Sequence, residues 1–210
     1  PAAKSVHHAY LGGLLEHVLS LTRLCRLAAA HYQGIDLDLL LAGALLHDVG
    51  KIYELSYDRG FGYTTEGQLL GHIAIGLRLA GEKLNALPDF PPRLRNLLEH
   101  MLLSHHGHLE FGSPKLPLFA EAVLLHHLDD LDSKMDCVRA LLAEDRQIEG
   151  DWTGYSQPLE RNLLKKDRYL AEPDHAPAAA APPPDSRPPA KPASPFAEKL
   201  ASAMERRKEP

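Results

Sequence analysis

The chain has 210 residues, 44% of them hydrophobic, and a formal charge of −5 with the histidines neutral. That length suits one domain with a real core plus an appendage, and the negative balance excludes a broad basic face for nucleic acid, although bound divalent cations would still admit a nucleic-acid substrate by reversing the local field. No apolar run reaches membrane-spanning length and no secretory leader is visible, so no membrane partner is expected.

The chain opens at Pro1-Ala2-Ala3 without a methionine, which reads as an excised fragment with something missing upstream. Leu and Ala dominate, favouring an all-α fold. Leu11, Leu14, Leu15, Val18, Leu21, Leu24, Cys25 and Ala28 recur at three- and four-residue spacing and predict one long helix from about Ser5 to His31, stopped by Gly34. Asp36 is a candidate N-cap for a second helix, Leu37 to about Asp48, ended by Gly50 and apolar enough to lie at the centre. Tyr53, Leu55 and Tyr57 alternate, and Phe61 and Tyr63 follow Asp58-Arg59-Gly60, so Lys51–Thr65 reads as a small hairpin or ordered loop. A third helix runs from about Glu66 to Leu87. A fourth starts near Pro91-Pro92 and runs to Ser104, and a fifth runs from about Leu118 to Glu144 after a Gly/Pro loop. Residues 148–170, with Trp152, read as a short extension packed on a domain of residues 1–170. Residues 171–210 form a Pro/Ala-rich tail expected to be disordered, with a short basic helix at Phe196–Lys208. Cys25 and Cys137 share no paired spacing and read as buried, reduced thiols of a cytoplasmic protein.

Thirteen histidines stand against five Phe and one Trp. Many sit in apolar helical segments beside acids, in five clusters: His17; His47-Asp48; His72; His105-His106; and His127 with Asp129, Asp130 and Asp132. Each cluster lies on a separate predicted helix or at its end, which is how a helical bundle assembles an internal metal site. His17 shares a face with Leu21 and Leu24. A single core histidine satisfied by backbone would be unremarked, but five such positions in one chain favour ligation. Two adjacent helical residues point about 100° apart, yet at a helix end, with Gly50 freeing the backbone, His47 and Asp48 can face one pocket. A carboxylate can bridge two cations and an imidazole cannot, so Asp48 is the candidate bridge. Mixed His/carboxylate ligation suits Mn, Fe, Zn or Co rather than Ca.

The order His17, His47-Asp48, Asp129 resembles the HD superfamily of metal-dependent phosphohydrolases, and HDVGK at 47–51 resembles its HD-x-G-K variant. His72 in GHI and His105-His106 in SHHG match the subset holding two metals. HHAYLGGLLEH at 7–17, GQLLGHI at 67–73, LLSHHG at 102–107 and LHHLDDLDSKM at 125–135 resemble the C-terminal domain of YhaM-type 3′→5′ exoribonucleases. The likeness covers residues 5–145 and continues more weakly from Trp152 to Tyr169; the tail has no counterpart. That family places an OB-type nucleic-acid-binding domain upstream, which is expected to be absent from this chain. The resemblance implies His17, His47, Asp48 and Asp129 around a first ion, and Asp48, His72, His105 and His106 around a second. The implied cofactor is a pair of divalent ions, manganese foremost, with iron, cobalt, zinc or nickel as alternatives.

Asp48 and Lys51 are the candidate catalytic residues. Lys51 reads either as a contact to a phosphate oxygen or as a cation at a helix C-terminus. Asp130 and Asp132 read either as acceptors that hold a ligand histidine or as solvated helix acids. His127 reads as packing or support for a ligand, and Lys134 as a substrate contact or a surface lysine. His7 and His8 lie about two and a half turns before His17 and read as pocket-mouth substrate contacts or a surface pair. His100 and His108 read as bystanders. Tyr53, Tyr57, Phe61 and Tyr63 could line the entrance and stack on a base. The implied activity is release of nucleoside monophosphates from the 3′ end of single-stranded RNA. Hydrolysis of a small nucleotide or cyclic dinucleotide, and a non-catalytic nucleic-acid-binding or scaffold module, are the competing readings. Association into a homo-oligomer is left open.

Overall fold

The structure is a computed structural model that describes residues 12–56, 62–145 and 150–171. His7, His8, Tyr57, Phe61 and the tail from Glu172, with its expected terminal helix, lie outside the described residues.

Helix α1 spans Gly13–His31 and α2 spans Leu37–Leu46. Asp36 caps α2, its carboxylate accepting from the Leu39 amide at 3.0 Å. A short helix α3, Lys51–Glu54, leads into strand β1, Leu55–Ser56, paired antiparallel with β2, Gly62–Tyr63. Helix α4 covers Thr65–Asn85, α5 Pro92–Ser104 with proline in its first turn, and α6 Ala120–Glu144. A 3-10 turn at Leu109–Phe111 sits in the loop between α5 and α6.

The core is where α1, α2, α4, α5 and α6 meet. Leu21 and Cys25, Leu40 and Ala44, Ala80 and Leu84, Leu98 and Leu102, and Ala122 and Leu125 pack together there. Spacings of three and four residues put each pair on one helix face. Burial pushes the Cys25 thiol up to about 12, and both cysteines are buried and unbridged. No helix among the described residues is long and apolar enough to cross a membrane.

Three expectations need correction. The described first helix begins at Gly13 behind Gly12, whose φ of 87° is left-handed and interrupts the expected continuous helix, the expected start at Ser5 lying outside the described residues, and Leu15 is 75% exposed rather than part of the buried stripe. Residues Lys51–Glu54 are helical despite their alternating pattern, because the chain leaving α2 stays in turn and helical geometry and reaches extended backbone only at Leu55. Helix α2 is central through Leu39, Leu40 and Ala44, but Leu45 is 56% exposed.

Residues 150–166 form an irregular extension. Isolated bridges join Trp152 to Leu164 and Ser156 to Arg161, Thr153 is buried, and Lys165 Nζ pairs with Asp145 Oδ2 at 2.5 Å. One compact unit ends at Lys166 and a second begins at Asp167; residues 167–171 of helix α7, Lys166–Ala171, are the described part of the second.

Candidate metal centre

Five helices deliver their polar groups to one buried place. His17 lies in α1, His47 and Asp48 directly follow α2, His72 lies in α4, His105 and His106 follow α5, and Asp129 and Asp132 lie on α6. His17, His47, Asp48 and His105 are almost wholly buried.

Two glycines set the positions of Asp48 and His72. Gly50 keeps ordinary right-handed dihedrals (φ −63°, ψ −23°), so it does not free the backbone as its sequence position suggested. Its role is close approach: a Cβ there would lie 2.0 Å from the His72 carbonyl oxygen and 2.8 Å from the Gly76 amide. Gly71 does use its conformational freedom, with φ 71° and ψ 160° inside α4. The kink takes His72 out of the helical ladder, and its amide donates instead to Glu54 Oε1 at 3.0 Å. Glu54 was not among the sequence candidates. The only sequence signal for it is a carboxylate three residues after Lys51, in a segment whose alternation suggested a strand.

The ligand atoms fall into two sets that meet at Asp48. In the first, His17 Nε2 lies 3.4 Å from His47 Nε2 and 3.1 Å from Asp129 Oδ1; His47 Nε2 lies 3.4 Å from Asp48 Oδ2 and 3.7 Å from Asp129 Oδ1. In the second, Asp48 Oδ1 lies 3.5 Å from His72 Nε2 and 3.8 Å from His105 Nε2. His106 joins His72 and His105, with one ligand atom of each within 4.8 Å of the others. Asp48 Oδ1, His72 Nε2 and His105 Nε2 are buried and have no hydrogen-bond partner. Unsatisfied buried polar atoms are costly. Three of them gathered together, with the two histidine nitrogens 3.5 and 3.8 Å from Asp48 Oδ1, suit a cation, being slightly wider apart than the roughly 3.0–3.4 Å between donors each about 2.1 Å from one ion at octahedral or tetrahedral angles.

The tautomers agree with that reading. His17 Nδ1 donates to Asp132 Oδ2 at 2.8 Å and His72 Nδ1 to Glu54 Oε1 at 3.3 Å. His47 Nδ1 donates to the Ala44 carbonyl at 2.9 Å and His105 Nδ1 to the Leu102 carbonyl at 2.8 Å. The last two acceptors are final-turn carbonyls of α2 and α5, which have no partner within their helix. Carboxylate and carbonyl oxygens can only accept, so each ring carries a proton on Nδ1 and keeps Nε2 as the nitrogen that can ligate once it is deprotonated, as in metal-ligating histidines. Ser20 Oγ donates to the other oxygen of Asp132 at 2.5 Å.

The electrostatics favour cations. Burial opposes charge on His17, but hydrogen bonds to Asp129 and Asp132 outweigh it and raise its pKa to about 9. His47 is raised against its burial by Asp48 and Asp129. Burial also opposes the charge on Asp48, yet Lys51 and His47 hold its carboxyl well below the usual range. His105 moves the other way, lowered by burial and by His47. The carboxylates thus make a field that draws positive charge inward.

Several candidates occupy other places than expected. Lys51 begins α3 rather than capping α2, and its Nζ pairs with Asp48 Oδ2 at 2.7 Å. Asp132 holds His17, whereas Asp130 is exposed and pairs with Lys134 at 2.7 Å, touching no ligand histidine. His127 is exposed, and its neighbour His126 is the half-buried one, its Nδ1 donating to the His105 carbonyl at 2.9 Å. His100 accepts from the Leu118 amide at 3.2 Å, away from the cluster. A cavity of about 620 Å³ opens on the centre, lined by Asp48, Lys51, His105, His106, His108, His126, His127, Asp129, Asp130, Ser133 and Lys134. Tyr53 and Tyr63 are exposed and do not line it, and His108, read as a bystander, does.

A family model for the HD domain matches residues 14–134, and the chain belongs to that family, a class of metal-dependent phosphohydrolases. Among curated proteins it is 42% identical over 172 residues to the 3′-5′ exoribonuclease YhaM of Bacillus subtilis (strain 168). The match takes in 80% of this chain and 53% of that protein, so the chain spans about half the length of this relative. No solved structure matches the chain.

Proposed function

We propose that this chain is the hydrolytic domain of a 3′→5′ exoribonuclease that releases nucleoside monophosphates and uses two divalent metal ions, manganese foremost. The observation that carries the metal reading is the division of Asp48: one oxygen faces His47 in the first set and the other faces His72 and His105 in the second. The RNA reading is supported by the likeness to a relative named a 3′-5′ exoribonuclease.

His17, His47, Asp48 and Asp129 would hold one ion, and Asp48, His72, His105 and His106 the other. Bound there, divalent cations supply an acidified water and neutralise charge on the phosphoryl oxygens. Asp132, Glu54 and the carbonyls of Ala44 and Leu102 keep the four rings in the ligating tautomer. Lys51 balances the buried Asp48 and lines the cavity, where its ammonium contacts a non-bridging phosphate oxygen. Lys134, on the same cavity wall, adds positive charge at the mouth.

A cavity of about 620 Å³, within the usual range for one small ligand, also favours a second reading, hydrolysis of a small nucleotide or cyclic dinucleotide. A 5′-labelled single-stranded RNA and a panel of small nucleotides, each with manganese, separate the two. The exoribonuclease reading expects a ladder of products shortened one nucleotide at a time from the 3′ end. Cleavage confined to the small nucleotides overturns it in favour of the second reading, and no turnover with any divalent metal overturns both.

A further inference from the structure

His126 is one of three imidazoles on the cavity wall, with His108 and His127, that the metal sets leave unused, and it is the one whose ring is anchored to a ligand's backbone. It lies three residues before Asp129 on α6 and lines the same cavity as Asp48, Lys51 and Asp129. Its ring is held on several sides. Nδ1 donates to the His105 carbonyl at 2.9 Å. A Cβ on Gly107 would lie 2.2 Å from both Cε1 and Nε2 and 2.4 Å from Nδ1; such equal approaches mean that the ring lies face-on over Gly107. Gly107, at φ 75°, is therefore fixed both by backbone conformation and by the space the ring needs. His108 and His127 stand beside the ring at centroid distances of 5.6 and 4.8 Å.

With its Nδ1 proton committed to a carbonyl, the ring in this tautomer presents a lone pair at Nε2, for which no hydrogen-bond partner is found among the described residues. That lone pair cannot serve a phosphate oxygen, which only accepts; Lys51 and Lys134 supply the donors for phosphate on the same cavity. The group that complements His126 must be a donor close to the reacting phosphate. In a nucleotide, the hydroxyls of the sugar attached to that phosphate meet both conditions. Resting on the nucleotide-hydrolase reading above, we propose that His126 Nε2 accepts a hydrogen bond from a hydroxyl of the substrate's terminal sugar, making it a specificity residue for the 3′ end.

The test uses the manganese-loaded chain and single-stranded oligonucleotides that differ only in the last sugar: ribose, 2′-deoxyribose or 3′-deoxyribose. The wild type is expected to lose about 3- to 10-fold in kcat/KM on one deoxy end, the worth of one neutral hydrogen bond; which end it is names the hydroxyl. His126→Ala and His126→Phe are expected to level the three ends with metal content unchanged. Equal loss on all three ends, or loss of metal, shows that His126 acts only by supporting His105 and overturns the proposal, as does a wild type indifferent to both deoxy ends. A second measurement stands apart from polymer hydrolysis: ¹⁵N NMR of the magnesium-loaded chain with adenosine 5′-monophosphate and with its 2′,3′-dideoxy analogue. The His126 Nε2 resonance is expected to move with the first and not with the second. The same response to both overturns the proposal. If no oligonucleotide is cut while this difference appears, the exoribonuclease reading falls and the role of His126 stands.

Discussion

Replacing Gly50 with alanine probes how the fold holds the metal centre together. The new methyl would stand 2.0 Å from the His72 carbonyl oxygen and 2.8 Å from the Gly76 amide. Both are backbone atoms, so no side-chain rotation relieves the clash. To reach even 3.0 Å, the distance below which real Cβ contacts essentially never fall, α4 and the Gly50 turn must separate by 1 Å at the carbonyl. His72 Nε2 stands 3.5 Å from Asp48 Oδ1, so a displacement of that size takes the imidazole out of shared ligation. Overpacking of this kind costs about 1–3 kcal/mol, and a chain of this length loses about 2–4 °C in Tm per kcal/mol. Gly50→Ala is therefore expected to melt about 2–12 °C lower and to bind metal more weakly at the His72 set, read by thermal unfolding and by chelator competition. Gly62→Ala is the control, because nothing lies within 4 Å of its would-be Cβ. A Gly50→Ala protein with the melting temperature and metal affinity of the control would refute the close-packing argument.

Asp132→Ala removes the acceptor that fixes the His17 tautomer, and metal affinity is expected to fall about 10–100-fold with helix content by circular dichroism unchanged; an unchanged affinity would show that Asp132 does not support ligation. The raised pKa of His17 has two consequences of definite sign. In the metal-free protein its stabilising contribution is present below pH 6.5 and is lost as pH rises through about 9. Metal must displace that proton, so affinity is expected to rise about tenfold per pH unit between pH 7 and 9, with proton release seen by calorimetry in buffers of different ionisation enthalpy; a pH-independent affinity contradicts this. Lys51→Met, similar in length but uncharged, is expected to lower kcat about 100-fold or more, as loss of a preorganised charge donor does, while metal content measured by elemental analysis stays near that of the wild type.

Most of the fold follows from apolar spacing and punctuation. Asp36 and Pro92 mark the starts of α2 and α5 where the sequence puts them, because capping and proline act locally. The kink at Gly71 does not show: the apolar spacing continues across it, and a glycine in a helix looks the same whether its φ is negative or positive. The candidate ligands are legible because a histidine on a core face is rare, and the structure brings together those of all five helices. The choice between His126 and His127 was readable and was missed. Ala122, Leu125, Asp129 and Asp132 share one face at three- and four-residue spacing, and His126 borders it while His127 turns away. The same spacing separates Asp132, on the inward face with Asp129, from Asp130. Glu54 was hidden because its partner is an amide released by a kink, a relation between distant segments that no local pattern carries.

Metal content of single-ligand variants bears most directly on the shared role of Asp48. After loading with manganese and gel filtration, elemental analysis is expected to find two ions per chain in the wild type, none retained by Asp48→Ala, and about one by His72→Ala. An Asp48→Ala chain that keeps the wild-type complement would mean that its two oxygens do not join the histidine sets, and the two-ion centre proposed for this chain would be wrong.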